Sequence, residues 1–205
     1  MKPKFILCLA LVLSGNCYAA IVYPKAPDGG KQIVEKYLDP KLLNGLKITN
    51  VENLIIANPL ADYGGSILVT GKFLSTARLL TWRYLLMDGT NAVGEVALNA
   101  DKSRYLKYCW MGTGMDNNAL KAIRVAEQLP QTNKHDYELR YLGMMPYAPA
   151  IWLHSESDDI IIPLTDYWNH WKAFQPYSES EMIKLLKPVE DERIKMGKKY
   201  PGLPD

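Results

Sequence analysis

The sequence predicts an α+β fold: a mainly antiparallel sheet packed against one long helix in a roll-like arrangement, with further helices near both ends. Three observations carry that expectation. Short apolar runs recur in the middle of the chain with hairpin-length breaks between them. One segment, Ala119 to Leu129, repeats its apolar residues at helical spacing. Capping and stop signals bracket helical patterns at either end.

The first element is a leader. Lys2 and Lys4 precede an uncharged apolar run from Phe5 to Leu13, and Ser14, Gly15 and Asn16 break it. Cys17 and Ala19 then present small residues at the −3 and −1 positions of a cut after Ala19. This is the layout of a secretory signal peptide. The run is less than half the roughly 20 residues that a membrane-crossing helix needs. Lipid attachment at Cys17 fits less well, because Asn16 and Ser14 stand where small and aliphatic residues are required. Removing residues 1–19 takes two of the 24 basic residues and leaves 22, against 22 acidic ones. A formally neutral chain has no long-range pull on nucleic acid or anionic lipid. Cys8 and Cys17 leave with the leader, so Cys109 has no intramolecular disulfide partner.

After the leader, Ile21 to Gly30 reads as extended, punctuated by Pro24, Pro27 and a Gly29-Gly30 turn. Lys31 to Leu38 places Ile33, Val34 and Tyr37 on one helical face, and Asp39-Pro40 ends it. Asn53 to Ala57 and Ser66 to Phe73 read as strands flanking a turn-rich Asn58–Gly65. Leu79 to Met87 and Ala92 to Leu98 form a hairpin around Asp88-Gly89-Thr90-Asn91. Arg104 to Trp110 alternates as a further strand.

In the central helix Ala119, Ala122, Ile123, Ala126 and Leu129 form the inner stripe, Asp116 to Asn118 supply caps, and Pro130 stops it. Tyr137, Leu139 and Tyr141 then alternate with Glu138 and Arg140. Ala150 to Leu153 and Asp159 to Leu164 bracket a polar hairpin tip. Ser178 and Glu181 make a capping box for a last helix, which Pro188 is expected to interrupt. The chain thus divides into a signal peptide (1–19), an α+β domain (20–176) and a helical C-terminal arm (177–205).

Two clusters and one lone cysteine are candidate sites. At the hairpin tip, His154, Glu156 and Asp158 point the same way if the segment stays extended, and an imidazole with two carboxylates suits a divalent metal. A polar tip also serves simply as a solvated turn. Tyr167, Trp168, His170 and Trp171 offer large, stiff aromatic surface for a ligand or partner of the cell envelope. The same residues suit a latch that ties the C-terminal arm to the sheet. Cys109 lies in a strand-like run, where a buried small side chain fits better than a nucleophile.

The chain carries no P-loop, no G-x-S-x-G and no H-E-x-x-H, and no residue pattern calls for a cofactor. The expectation is an exported, non-catalytic binding or accessory module, periplasmic or secreted. The alternative is an envelope hydrolase that pairs His154 or His170 with Asp158 or Asp159 in a cleft. N-terminal sequencing of protein isolated from its native cell should read Ala20-Ile21-Val22. Recovery of chains that still begin at Met1 would remove the export reading.

Overall fold

The computed structural model describes residues 21–38, 54–64, 74–101, 106–111, 114–144, 148–167 and 169–199. The leader, the strand expected at 66–73 and Trp168 lie outside them. The fold is mixed α+β. In chain order its elements are β1 (Ile21–Val22), α1 (Gly30–Tyr37), β2 (Leu54–Ile56), β3 (Leu60–Gly64), β4 (Arg78–Asp88), β5 (Asn91–Asn99) and β6 (Leu106–Met111). There follow α2 (Gly114–Glu127), β7 (Tyr137–Met144), β8 (Ala148–His154), β9 (Asp159–Pro163), β10 (Tyr177–Ser178) and α3 (Glu179–Lys199). Among the described residues no helix is long and apolar enough to cross a membrane.

The strands form one sheet in the order β10-β9-β8-β7-β3-β4-β5-β6. Two pairings, β1–β7 and β3–β7, are parallel, and the others are antiparallel. The sheet is therefore two meanders, β3 to β6 and β7 to β10, joined at a parallel seam. A parallel pair needs a crossover, and the chain that makes it runs through β4, β5, β6 and α2.

Local chemistry explains the joints. Gly89 sits at φ 58 in the two-residue loop between β4 and β5, where a side chain is disfavoured. Gly30 opens α1 so close to Tyr84 that an added Cβ overlaps the hydroxyl. Ser178 caps α3 as expected: Glu181 Oε2 accepts from the Ser178 amide at 2.8 Å and from its hydroxyl at 2.7 Å. Leu60–Gly64, expected as part of a turn, is instead the strand at the seam. Helix α3 runs through Pro188 without a break. Met182, Leu186 and Val189 are buried under the sheet on both sides of the proline, and their packing offsets the hydrogen bond that the ring removes.

Strand alternation sorts the core onto two faces. Tyr137, Leu139, Ile151 and Leu153 meet the alanine stripe of α2. Leu142, Ala150, Trp152 and Ile161 face the other way, toward Met182 and Leu186 of α3. Further along that second face, Val34 of α1 packs with Trp82, Tyr84 and Val96.

The α2 face also buries charge. Arg83 on β4 donates through Nη2 to Asp62 Oδ2 at 2.8 Å and through Nη1 to Glu95 Oε1. Thr81 Oγ1 donates to the same Asp62 oxygen at 2.8 Å. The guanidinium carbon lies 3.9 Å from the centre of the Tyr141 ring, and Asp116 at the start of α2 is buried nearby. Burial drives the Tyr141 pKa far up, Arg83 opposes it, and Glu95, Asp62 and Asp116 add to the rise. Four strands and a helix thus converge on one cation.

Removing the cation strands buried carboxylates, so Arg83→Ala should destabilise the fold by about 3–5 kcal/mol in urea denaturation. The combined Asp62→Leu, Arg83→Met, Glu95→Leu variant should cost less than the single change. A smaller loss for Arg83→Ala than for the triple variant contradicts the assignment.

Candidate functional site

On the α3 face, the hairpin register brings chemistry together where alternation alone gave only a direction. Glu138 pairs with His154 across β7 and β8, and Arg140 pairs with Trp152. All four side chains lie on the face that carries Leu142 and Ala150. Tyr63 of β3 joins them, with its ring 5.4 Å from that of Trp152 and at 80° to it. The Arg140 guanidinium carbon lies 4.6 Å from the Tyr63 ring centre and 4.5 Å from that of Trp152. Its Nε donates to Glu138 Oε1 at 2.6 Å. The arginine is therefore held by two aromatic faces and one carboxylate.

Asp159, the first residue of β9, fixes the other end of the cluster. Its Oδ1 accepts from the Trp152 indole at 2.6 Å and meets His154 Nδ1 at 2.8 Å. A carboxylate oxygen is an acceptor, so Nδ1 is the donor, and Nε2 is the ring nitrogen left unbonded to Asp159. The imidazole lies 5.2 Å from the Trp152 ring and is 36% exposed. A histidine oriented this way can take a proton at Nε2 or accept a hydrogen bond from a partner. The nearest hydroxyl in sequence, Ser155 Oγ, is committed to Asp158 at 2.8 Å.

The expected metal trio does not assemble. Among the described residues no group of three or more metal-ligating side chains is placed to hold an ion. The reason is the turn. Ser155 N donates to Asp158 O at 3.1 Å, which ends the extended alternation that aligned His154, Glu156 and Asp158. His154 turns to Asp159 on the α3 face. Asp158 instead accepts from Tyr137 Oη at 2.8 Å at both carboxylate oxygens, and Tyr137 belongs to the α2 face. Burial pushes the Asp158 pKa up, but hydrogen bonds from Ser155, Tyr137 and Ser157, with His135 nearby, outweigh it and hold the group below its usual range.

In the aromatic segment Trp171 is 2% exposed and sits in the core beside Met182 and Leu186. Tyr167 stacks on it with ring centres 4.5 Å apart and planes 14° from parallel. His170 is half-buried, with its ring 5.9 Å from that of Tyr167. Cys109 lies in β6 opposite Val96. The sequence offered Asp159 as one of two carboxylate partners for His154, and the structure pairs them; it did not by itself mark Arg140 and Trp152 as joining them. The alternating Tyr137–Tyr141 run, aligned against Ala150–His154, held the signal.

No protein-family profile matches the chain, and neither a curated protein nor a solved structure matches it.

The tip clamp sets a dependence on alkaline pH. Burial first, then the hydrogen bond to Asp158, raises the Tyr137 pKa from 10.0 to about 12. The native state keeps its proton while the unfolded chain loses it, so this contribution is full below pH 10.0 and is lost as pH rises toward about 12. Tyr137→Phe should flatten that part of the stability profile without abolishing it, because Tyr23, Tyr63, Tyr84 and Tyr141 are raised as well. An unchanged slope in denaturation series above pH 10.0 contradicts the clamp.

Proposed function

We propose that the protein is a non-catalytic binding or accessory module of the cell envelope, exported by the leader 1–19, and that the Arg140–Trp152–His154 platform meets its partner. The observation that carries this reading is the Arg140 guanidinium, stacked on Tyr63 and Trp152 and tied to Glu138. Arginine is among the residues that dominate the energetics of binding surfaces, and Trp152, only 3% exposed, backs it from beneath. Side chains already fixed by neighbours lose little freedom when a partner arrives. The platform also stands on paired strands, which hold its geometry more firmly than a loop does. A sheet with α2 laid across one face fits a roll, and the platform lies on the opposite face, which α3 covers only in part.

One observation favours the second reading, an envelope hydrolase. His154 has a carboxylate on Nδ1, the arrangement that readies Nε2 to activate a water.

The two readings separate in one set of variants. A photo-crosslinking residue at Glu156, exposed at the tip two residues from His154, should capture a discrete envelope partner. Arg140→Ala in the same background should reduce that adduct about tenfold, equivalent to about 1.4 kcal/mol, with the fold intact by circular dichroism. An adduct pattern identical to that from Lys31, on α1, sinks the binding reading. Turnover in a panel of esters, peptides and phosphoesters that His154→Ala abolishes supports the hydrolase instead.

A further inference from the structure

The sheet has a fork. Strand β1 lies on β7 and β2 lies on β4, in the same gap, and the two are not paired with each other. Strand β3 fills that gap only from Leu60 onward. Helix α2 roofs the opening and closes it into a groove of about 290 Å³. Its lining is apolar, with Leu60 and Leu85 on the sheet side and Leu120 and Ile123 on the helix side. This volume is at the lower limit of small-molecule sites, roughly 300–1,000 Å³, and suits a body the size of one apolar side chain.

The rim is polar and carries both signs of charge. Arg124 and Glu127 stand three residues apart on α2, both exposed. Such positions bring side chains to within about 5–6 Å at Cβ. Yet the ion pairs of the described residues do not join these two to each other. Tyr23 and Asn58 complete the mouth. Burial, and then the charge of Glu127, raise the Tyr23 pKa, which sets that carboxylate near the phenol.

We propose that this groove binds a small zwitterion with an apolar side chain, a free hydrophobic α-amino acid. Its carboxylate meets Arg124, its ammonium group meets Glu127, and its side chain lies between the sheet leucines and the helix residues Leu120 and Ile123. A fatty acid leaves Glu127 opposed to its head group, and an alkylamine leaves Arg124 opposed to its own. A zwitterion alone satisfies both charges. The groove opens on the α2 face, away from Arg140 and His154, so the proposal does not rest on the platform.

Isothermal titration of the purified protein tests it, with L-leucine and L-phenylalanine as ligands and glycine, N-acetyl-leucine and leucinamide as comparisons. Leucine and phenylalanine should bind at least about tenfold more tightly than the three comparisons. Arg124→Ala should weaken leucine about tenfold and leave leucinamide unchanged. Glu127→Ala should weaken leucine likewise and leave N-acetyl-leucine unchanged. Both positions are exposed, so the variants keep the fold. The proposal is overturned by no binding up to about 10 mM, by equal affinity for leucine and N-acetyl-leucine, or by variants that bind leucine as the parent does.

Discussion

Arg83 is the constraint on which the rest of the structure depends. A buried guanidinium needs its donors satisfied, and it reaches Asp62 on one neighbouring strand and Glu95 on the other. Tyr141 closes over its face from a third. The contacts fix the register of β3, β4 and β5 together, since a slip of one residue turns these side chains to the opposite face. An apolar core tolerates small shifts; a buried ion pair with directional hydrogen bonds does not.

The same combination recurs on the opposite face with a different outcome. Arg140, like Arg83, lies against an aromatic ring and is tied to a carboxylate. Both guanidiniums are mostly covered, Arg83 at 10% exposed and Arg140 at 14%, but Arg140 stands beside Glu138 and His154, both about one-third exposed. One cluster organises the interior and the other presents ordered polar groups outward. What separates them is which side of each strand their residues occupy, together with the helix that covers that side.

Much of this was legible in the residues. The alanine stripe of α2 announced its buried face, and Gly89 announced its hairpin. Other features were hidden for physical reasons. Leu60–Gly64 resembles a turn because Pro59 precedes it and Asp62 interrupts its apolar character. That aspartate is tolerated in a central strand only because Arg83 and Thr81 meet it. The metal trio failed because period-two reasoning was carried through a tight turn, where it does not hold. Pro188 was given its isolated-helix cost, while buried Leu186 and Val189 hold the helix across it. The Arg140 cluster needed the β7–β8 register as well as the alternation, and its Tyr63 comes from a strand far away in sequence.

The parallel seam has a consequence for the order of assembly. Every antiparallel neighbour in the β3–β6 meander, and again in β7–β10, is also close along the chain, so each half can form quickly from local contacts. Asp62 and Tyr141 face each other only when the halves meet, after closure of a loop of roughly eighty residues. Until that event one meander presents an unpaired central edge at β3 and the other at β7. The span from first meander to closed sheet is therefore the interval of greatest exposure to misassociation. The chain passes through it with the Arg83 guanidinium still short of the tyrosine that covers it.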